Sequence, residues 1–234
     1  MQNICVLNAE PAFIPHLRKI HERFPKLRIV LEHATTRAAV EAVKACGPTV
    51  ACTITAHHIA LTVDDWAGQA WNFCKPVAKY PDDREALREV IKSGECFARP
   101  AHEVLISHSP GHPRFFLGSD SAPHPPHTKS TATPAQSCAA GVYTSPILLP
   151  LIAHLLESFG ALDRLEGFAS TFGRSFYKRE VPGDGTVRVP SIVLKRAEGG
   201  ELIKEGWTVG DQEVIPFWSG QKIDWVIDED KSIR

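Results

Sequence analysis

Three successive segments of this chain repeat one pattern, in which an amphipathic helix is followed by a short apolar strand. The helices are predicted at residues 11–24, 36–46 and 82–93, where apolar side chains recur at helical spacing. The strands that follow them are predicted at residues 27–31, 49–55 and 114–118, which are short apolar or β-branched runs. Buried strands alternating with helices are typical of parallel sheets and barrels, so the pattern predicts an α/β fold.

A side chain able to bind a metal stands at or just after the end of each predicted strand. These side chains are His33, His58 and Asp120. The carboxyl ends of parallel strands meet on one face of a barrel, so residues far apart in sequence converge there. Two neutral imidazoles and a carboxylate are suitable ligands for Zn²⁺. Their long spacing favours a catalytic metal site over a local zinc module, and Asp120 could also move a proton there.

Each of these residues also has a simpler structural interpretation. A lone histidine at a strand end often satisfies loop carbonyl groups by hydrogen bonding. Asp120, which precedes Ser121 and Pro123, could belong to a turn or cap a helix. His57 and His58 are adjacent, and because neighbouring strand residues point to opposite sides, only one of them can face the site.

The rest of the chain has a loop-rich middle and a β-rich end. Residues 97–113 are an insertion whose role the sequence leaves open. Residues 124–137, which are rich in Pro, Ser, Thr and His, are predicted to form either an ordered loop over a site or a mobile loop. Further helices are predicted at 146–159 and 161–171, and strands between 187 and 226. The sequence therefore predicts a partial barrel at residues 1–180 and a β-rich extension packed on it at residues 181–234.

Composition narrows the range of functions. The 26 Lys and Arg residues against 27 Asp and Glu give a formal net charge of -1, so a small soluble ligand is expected rather than nucleic acid or a membrane surface. No segment approaches the roughly 20 apolar residues of a membrane helix, and no signal peptide is recognisable, which favours the cytoplasm. The six cysteines lie singly, which favours reduced thiols over a disulfide framework.

Five blocks of sequence, in order along the chain, resemble dihydroorotases of the single-function type found in fungi and many bacteria. The blocks are VLEHATT (30–36), TITAHHIALTVDDW (53–66), NFCKPVAK (72–79), FFLGSDSAPH (115–124) and CAAGVYTSP (138–146). The resemblance runs over most of the chain, and FFLGSDSAPH is its most specific part. It implies a zinc-dependent cyclic amidohydrolase of pyrimidine biosynthesis that interconverts L-dihydroorotate and N-carbamoyl-L-aspartate.

The resemblance also implies roles for individual residues. The implied metal ligands are His33, His58 and Asp120, in a family site that holds two zinc ions when complete. Asp120 resembles the ligand that also serves as general base and acid. The implied substrate-binding positions are His33, Lys75, His124 and Ala140. His124 resembles a histidine that contacts the substrate carboxylate, whereas Lys75 and Ala140 contribute their backbone, since bacterial members typically have leucine where this chain has Lys75.

The fold implied by the resemblance is a TIM-type barrel, and the implied assembly is a homodimer. Family members carry a His-x-His pair, a substrate-binding arginine and asparagine, and a carboxylated lysine near their N-terminus, and none of these has a counterpart in the chain. An incomplete barrel with a β-rich C-terminal tail is therefore expected. Two alternatives stay open: a non-catalytic half-barrel that binds a partner or metabolite, and a related amidohydrolase acting on another cyclic amide.

Overall fold

Helices and strands alternate through the first half of the computed structural model, which describes residues 3–93, 111–129, 137–179 and 191–232. The helices are α1 (Ala9–Arg23), α2 (Arg37–Ala45), α3 (Ala56–Ala60), α4 (Val63–Trp66), α5 (Pro81–Lys92), α6 (Pro126–Lys129), α7 (Leu148–Ser158) and α8 (Phe172–Phe176). The strands are β1 (Ile29–Leu31), β2 (Val50–Ile54), β3 (Phe115–Leu117), β4 (Leu194–Leu202), β5 (Trp207–Val209), β6 (Gln212–Val214) and β7 (Lys222–Ile227). Most of the predicted insertion at 97–113 lies outside the described residues.

Strands β1, β2 and β3 form a parallel sheet in that order, which confirms the three predicted helix–strand units. All five residues of β2 are buried because it lies at the centre of the sheet with side chains covered on both faces. Ile29 pairs with Val50, and Cys52 pairs with Phe115. This sheet has three strands, and no closed barrel is seen in the part of the chain that the structure describes. The three strands nevertheless present their carboxyl ends at one edge.

Helix α1 is joined to the start of α2 by a half-buried carboxylate. Glu10 accepts a hydrogen bond from the Thr35 backbone N–H at 2.8 Å and another from the Thr36 hydroxyl. Thr36 in turn caps α2, because its side-chain oxygen accepts a hydrogen bond from the Ala39 N–H at 3.1 Å. A negative charge at a helix N-terminus is favourable. These contacts fix the segment that follows His33.

The C-terminal strands form two antiparallel pairs, β4 with β7 and β5 with β6. Strand β7 packs on α7, and the Trp225 indole N–H donates a hydrogen bond to Glu157 at 3.0 Å. The predicted β-rich end is therefore present, although residues 180–190 lie outside the described residues. The division of the chain near residue 180 stays a prediction.

Two local predictions differ from the structure. The single helix predicted at 161–171 is a 3-10 turn (Leu162–Arg164) followed by a π-helical segment (Gly167–Thr171) that continues into α8. The Phe172 ring fills the space beside Gly167, where an added Cβ would lie 2.7 Å from the ring. The strand-like alternation expected for His57 and His58, in which they point to opposite sides, is also wrong. A helix begins directly after β2, because the Thr55 side chain accepts a hydrogen bond from the His58 N–H.

None of the helices in the described ranges is long and apolar enough to cross a membrane. The longest of them, α1, contains Pro15 and buries only Ile14 and Leu17. Its other large apolar residues, Phe13 and Ile20, are exposed.

Candidate active site

The carboxyl ends of β1, β2 and β3 bring together the three segments that were predicted to carry the site. His33 follows β1, α3 follows β2 and Asp120 follows β3. Both His33 and Asp120 have positive φ angles, 44° and 40°. This left-handed backbone is costly for residues other than glycine and is concentrated at functional sites. The strain therefore supports a functional role for the sheet edge.

Thr53, on the central strand, holds the turn that contains His33. Its hydroxyl oxygen accepts a hydrogen bond from the His33 backbone N–H at 2.7 Å and donates one to the Glu32 carboxylate at 2.5 Å. The Thr53 side chain also lies against Gly118, where an added Cβ would be 2.7 Å from the Thr53 Cβ. One buried side chain on β2 thus supports the segments that leave β1 and β3.

His57 and His58 are both buried on α3, with ring centroids 4.3 Å apart. Both nitrogens of His58 are engaged: Nδ1 lies 2.8 Å from the Thr55 hydroxyl and Nε2 lies 2.9 Å from the Pro76 carbonyl oxygen. Neither nitrogen of His57 has a hydrogen-bond partner among the described residues. The His57 Nε2 atom is 3.9 Å from the Asp120 Oδ2 atom. Both histidines therefore point into the interior, and His57 is the one beside Asp120.

His57, His58 and Cys74 form a group of donor atoms that could hold a metal ion. One ligand atom from each lies within 4.8 Å of the others. The unpartnered nitrogens of His57 support this fit, since buried polar atoms are costly unless a protein group, water or metal satisfies them. Two imidazoles and a cysteine sulfur are donors that zinc accepts. His58 is shared with the predicted ligand set, and its Nε2 atom would have to leave the Pro76 carbonyl oxygen to bind a metal. The roles of His33 and Asp120 as metal ligands stay predictions.

Burial keeps the imidazoles of this group neutral, which is the form that binds a metal. It lowers the pKa of His58 to about 3 and holds the pKa of His57 well below its usual range. Burial also raises the pKa of the Cys74 thiol to about 11, and the neighbouring Asp120 adds to the rise. The pKa of Asp120 is itself raised by desolvation, although His33 opposes the shift. A carboxyl group with a raised pKa is suited to accepting and returning a proton.

Two of the predicted substrate-binding residues, His124 and Ala140, are in contact. The His124 Nε2 atom lies 3.0 Å from the Ala140 carbonyl oxygen. Gly141 has a φ of 151°, and an added Cβ would lie 2.6 Å from the Ala122 Cβ and 3.0 Å from His124 Nε2. Only glycine fits this close approach. The exposed Lys75 belongs to another segment, between Cys74 and a cis bond to Pro76.

Three residues of this region were not among the predicted site residues. His57 was considered only as an alternative to His58, because a strand was assumed to continue through both. Cys74 lies in the block NFCKPVAK, but a single cysteine without a second nearby gives no metal-binding signal. Thr53 lies within a β-branched run that is equally typical of an ordinary strand. Of these three residues, only His57 could have been found from the sequence, because it forms a pair of adjacent histidines with His58 just after a buried strand.

Comparison of the sequence with those of known proteins shows that the chain is similar to dihydroorotases. The chain is 48% identical over 265 residues to the dihydroorotase of Mycosarcoma maydis, and the alignment covers 96% of the chain and 62% of that protein. It is 41% identical over 233 residues to the dihydroorotase of Saccharomyces cerevisiae, covering 96% of the chain and 57% of that protein. The chain thus spans about 60% of the length of these relatives. No family model matches the chain.

Solved structures give the same result. The crystal structure of Saccharomyces cerevisiae dihydroorotase in complex with 5-fluoroorotic acid matches with a TM-score of 0.79 and 40% identity, covering 96% of this chain and 57% of that one. An L-hydantoinase (dihydropyrimidinase) from Arthrobacter aurescens matches with a TM-score of 0.63 over 92% of this chain and 45% of that one. At 17% identity it indicates a shared fold alone. The matches to dihydroorotases confirm that the chain resembles their C-terminal portion.

Proposed function

We propose that this chain is the C-terminal portion of a dihydroorotase and carries much of the site for reversible hydrolysis of L-dihydroorotate to N-carbamoyl-L-aspartate. The observation that carries the proposal is the meeting of the SDSAPH segment with α3, where Asp120 Oδ2 lies 3.9 Å from His57 Nε2. The 48% identity to a dihydroorotase over nearly the whole chain supplies the reaction class. Fold alone would not, since one fold hosts many reactions.

Asp120 is proposed to move the proton in this reaction. Hydrolysis adds water to the ring amide carbonyl, so one proton must leave the attacking water and one must reach the departing ring nitrogen. Burial raises the pKa of Asp120, which helps its carboxylate to take the first proton and its carboxylic acid to return it to the nitrogen. The carboxyl oxygens are exposed enough to meet a substrate, because 36% of the side-chain surface is accessible.

His124 and Ala140 are proposed to bind the substrate. His124 contacts the Ala140 carbonyl through Nε2, which leaves Nδ1 to face the substrate carboxylate, to which it donates a hydrogen bond only when the ring is an imidazolium. The backbone around Ala140 and Lys75 is proposed to supply peptide groups that match the ring amide of dihydroorotate, and His33 is proposed to contact the substrate as well as the metal. The bound 5-fluoroorotic acid of the yeast enzyme has the same carboxylate and ring amide, which makes it a suitable probe for this chain.

Zinc is the proposed cofactor, and the residues proposed to hold it are His33, His58 and Asp120, with His57 and Cys74 alongside. When bound, zinc would lower the pKa of a water molecule to about 7 and polarise the amide carbonyl. The neutral state of the buried imidazoles fits this role. The proposal further includes two zinc ions, a TIM-type barrel in the complete protein and a homodimer, all of which follow from the resemblance to the family. A cytoplasmic location, expected from the sequence, is also part of it.

The test is the cyclisation of N-carbamoyl-L-aspartate by the 234-residue chain with added zinc, compared with Asp120→Asn. We expect Asp120→Asn to lower the rate by about 10²- to 10⁴-fold, the usual contribution of a general acid–base group. The matched control is Asp163→Asn, which removes an exposed carboxylate paired with Arg164 at 3.4 Å. Its rate should equal that of the unaltered chain.

Binding of 5-fluoroorotic acid, followed by calorimetry on the same zinc-loaded proteins, separates the alternatives. Equal rates for Asp120→Asn and the unaltered chain would contradict the role of Asp120. Binding without turnover would favour the non-catalytic half-barrel that binds a metabolite. A folded, zinc-loaded chain that shows neither binding nor turnover would contradict the proposed function for this polypeptide.

A further inference from the structure

Lys129, the last residue of α6, is a buried cation whose three ammonium hydrogens point to carbonyl groups. Only 2% of the residue is exposed. Its Nζ atom lies 2.9 Å from the Phe73 carbonyl oxygen, 3.1 Å from that of Ala139 and 2.7 Å from that of Gly141. An ammonium group has three donors, so all of them are used.

These carbonyls belong to two separate segments that hold proposed substrate-binding backbone. The first, residues 72–76, contains Lys75 and is called the Phe73 loop below. The second, residues 138–144, contains Ala140 and is called the Ala140 loop. The Gly141 N–H donates to the Phe73 carbonyl at 2.9 Å, so the two loops also touch directly. Lys129 lies at this junction and bonds to both.

Lys129 and His124 contact alternate carbonyl groups of the Ala140 loop. Successive carbonyl groups of an extended chain point to opposite sides. Lys129 binds the carbonyls of Ala139 and Gly141, and His124 contacts the one between them, that of Ala140, at 3.0 Å. The orientation imposed by Lys129 on the outer two carbonyls therefore sets where the Ala140 carbonyl and the His124 ring lie.

Burying the Lys129 ammonium group costs free energy that an apolar side chain at this position would not cost. Burial lowers the pKa of Lys129, so the protein destabilises the ammonium form by removing it from water. The three carbonyl oxygens offset this, since hydrogen bonds that involve an ion are stronger than neutral ones. An apolar side chain of similar length would fill the same space but would leave the two loops without a common donor.

We propose that Lys129 is a positioning residue, which sets the spacing between the Phe73 loop and the Ala140 loop and so aligns His124 with the substrate-binding backbone. The inference rests on the proposed function, because it concerns the same substrate, a pyrimidine ring that carries a carboxylate. Lys129 itself does not touch the substrate in this role. Its loss should therefore weaken binding of substrate more than it slows the chemical step.

The experiment compares the unaltered full chain with Lys129→Met, which keeps the length of the side chain and removes the donors. Lys129→Gln, which keeps two donors, is the second variant should Lys129→Met not fold. The matched control is Lys92→Met, which removes an exposed lysine bonded to one carbonyl, that of Phe159, at 3.3 Å. Zinc content and secondary structure are measured for all four proteins.

The first readout needs no ligand. Amide hydrogen exchange in the Phe73 loop and the Ala140 loop is expected to accelerate about tenfold or more in Lys129→Met, while exchange in β1, β2 and β3 stays unchanged. The ring signals of His124 in nuclear magnetic resonance spectra are expected to shift in Lys129→Met, to shift less in Lys129→Gln, and to stay in place in Lys92→Met.

The second readout uses N-carbamoyl-L-aspartate and 5-fluoroorotic acid. The KM for the former and the Kd for the latter are expected to rise about tenfold or more in Lys129→Met, with kcat changed less than about threefold. Unchanged exchange in the two loops, exchange that rises equally throughout the sheet, or loosened loops with unchanged KM and Kd would overturn the inference. Failure of the proposed function would be distinct, because the unaltered chain would then neither turn over nor bind, and the ligand-free readout would decide on Lys129 alone.

Discussion

At the scale of single residues, the site depends on polar groups that hold other residues in place. Thr53 is the best example, because one hydroxyl accepts from the strained His33 backbone and donates to Glu32. Neither contact is visible in the sequence, where Thr53 is one of several β-branched residues in a buried strand. The φ of 44° at His33 needs such a support, since left-handed backbone costs on the order of 1–3 kcal/mol for a residue other than glycine.

Replacement of Thr53 by valine tests this support. Thr53→Val keeps the shape of the side chain and removes both hydrogen bonds, so we expect the free energy of unfolding to fall by about 1–3 kcal/mol. Thr53→Ser keeps the hydroxyl and is the matched control, with most of the stability retained. Urea unfolding followed by circular dichroism measures both. Equal stability of the valine variant and the unaltered chain would show that His33 needs no help from Thr53.

At the scale of elements, a buried arginine connects α2 to the sheet. Arg114, which directly precedes β3, donates through one guanidinium nitrogen to the carbonyls of Val43 at 2.6 Å and Val50 at 3.1 Å, and through another to Lys44 at 3.2 Å. The last carbonyls of a helix lack partners within the helix, and a cation is favourable there. Arg114 thus closes the C-terminal end of α2 and holds it against the start of β2.

Removal of this cap should destabilise the α2 end of the sheet. For Arg114→Met, which keeps the aliphatic length, we expect a loss of about 2–4 kcal/mol, because several buried carbonyls lose a charged donor at once. Thermal and urea unfolding measure the loss. Arg174→Met provides the comparison, since the Arg174 side chain makes an exposed hydrogen bond to Ser170 at 3.2 Å. A loss no larger than that of the comparison variant would disprove the capping role.

At the scale of the whole molecule, buried neutral histidines tie stability to pH. Burial lowers the pKa of His58 to about 3 and of His112 to about 4, and the nearby Arg114 and Lys44 contribute at His112. The Nδ1 atom of His112 also accepts a hydrogen bond from the Arg114 N–H at 3.3 Å, which requires a nitrogen without a proton. As the pH falls, these rings are therefore protonated at a higher pH in the unfolded chain than in the folded chain.

The sign of the effect follows from this order. Well above the ordinary histidine pKa of about 6.5 neither state binds the protons, so the contribution of these histidines to stability is complete. As the pH falls towards the folded pKa values, the unfolded chain binds more protons and the free energy of unfolding decreases. For His112→Gln we expect a shallower decrease, with about 2 kcal/mol less lost between pH 7 and pH 5 than in the unaltered chain.

Urea unfolding at a series of pH values measures this difference. His16→Gln, at an exposed position on α1, is the matched control. Parallel stability curves for His112→Gln and the unaltered chain would contradict a buried neutral histidine at this position. A decrease that begins only below pH 4 in the unaltered chain would contradict the contribution of all the buried histidines.

Much of the fold and part of the candidate site could be predicted from the sequence. The order of three helix–strand units was predicted correctly, because apolar periodicity and helix-ending signals such as Gly47-Pro48 are local properties of the chain. The convergence of the segments after β1, β2 and β3 followed from parallel strands alone. The resemblance to dihydroorotases was confirmed by comparison with known proteins, whereas the ligand and substrate roles of single residues stay predictions.

Only the tertiary structure decided which side chains meet at the carboxyl ends of β1, β2 and β3. From the sequence, His57 and His58 were expected to alternate like strand residues, so that one would turn away, but the Thr55 cap starts a helix that buries both. Cys74 meets them because a distant loop folds back, and Lys129 takes its acceptors from Phe73 and from the Ala140 loop. The physical reason is the range of the interactions. Helix and strand preferences act between near neighbours, whereas these donors and acceptors meet only after the chain has packed.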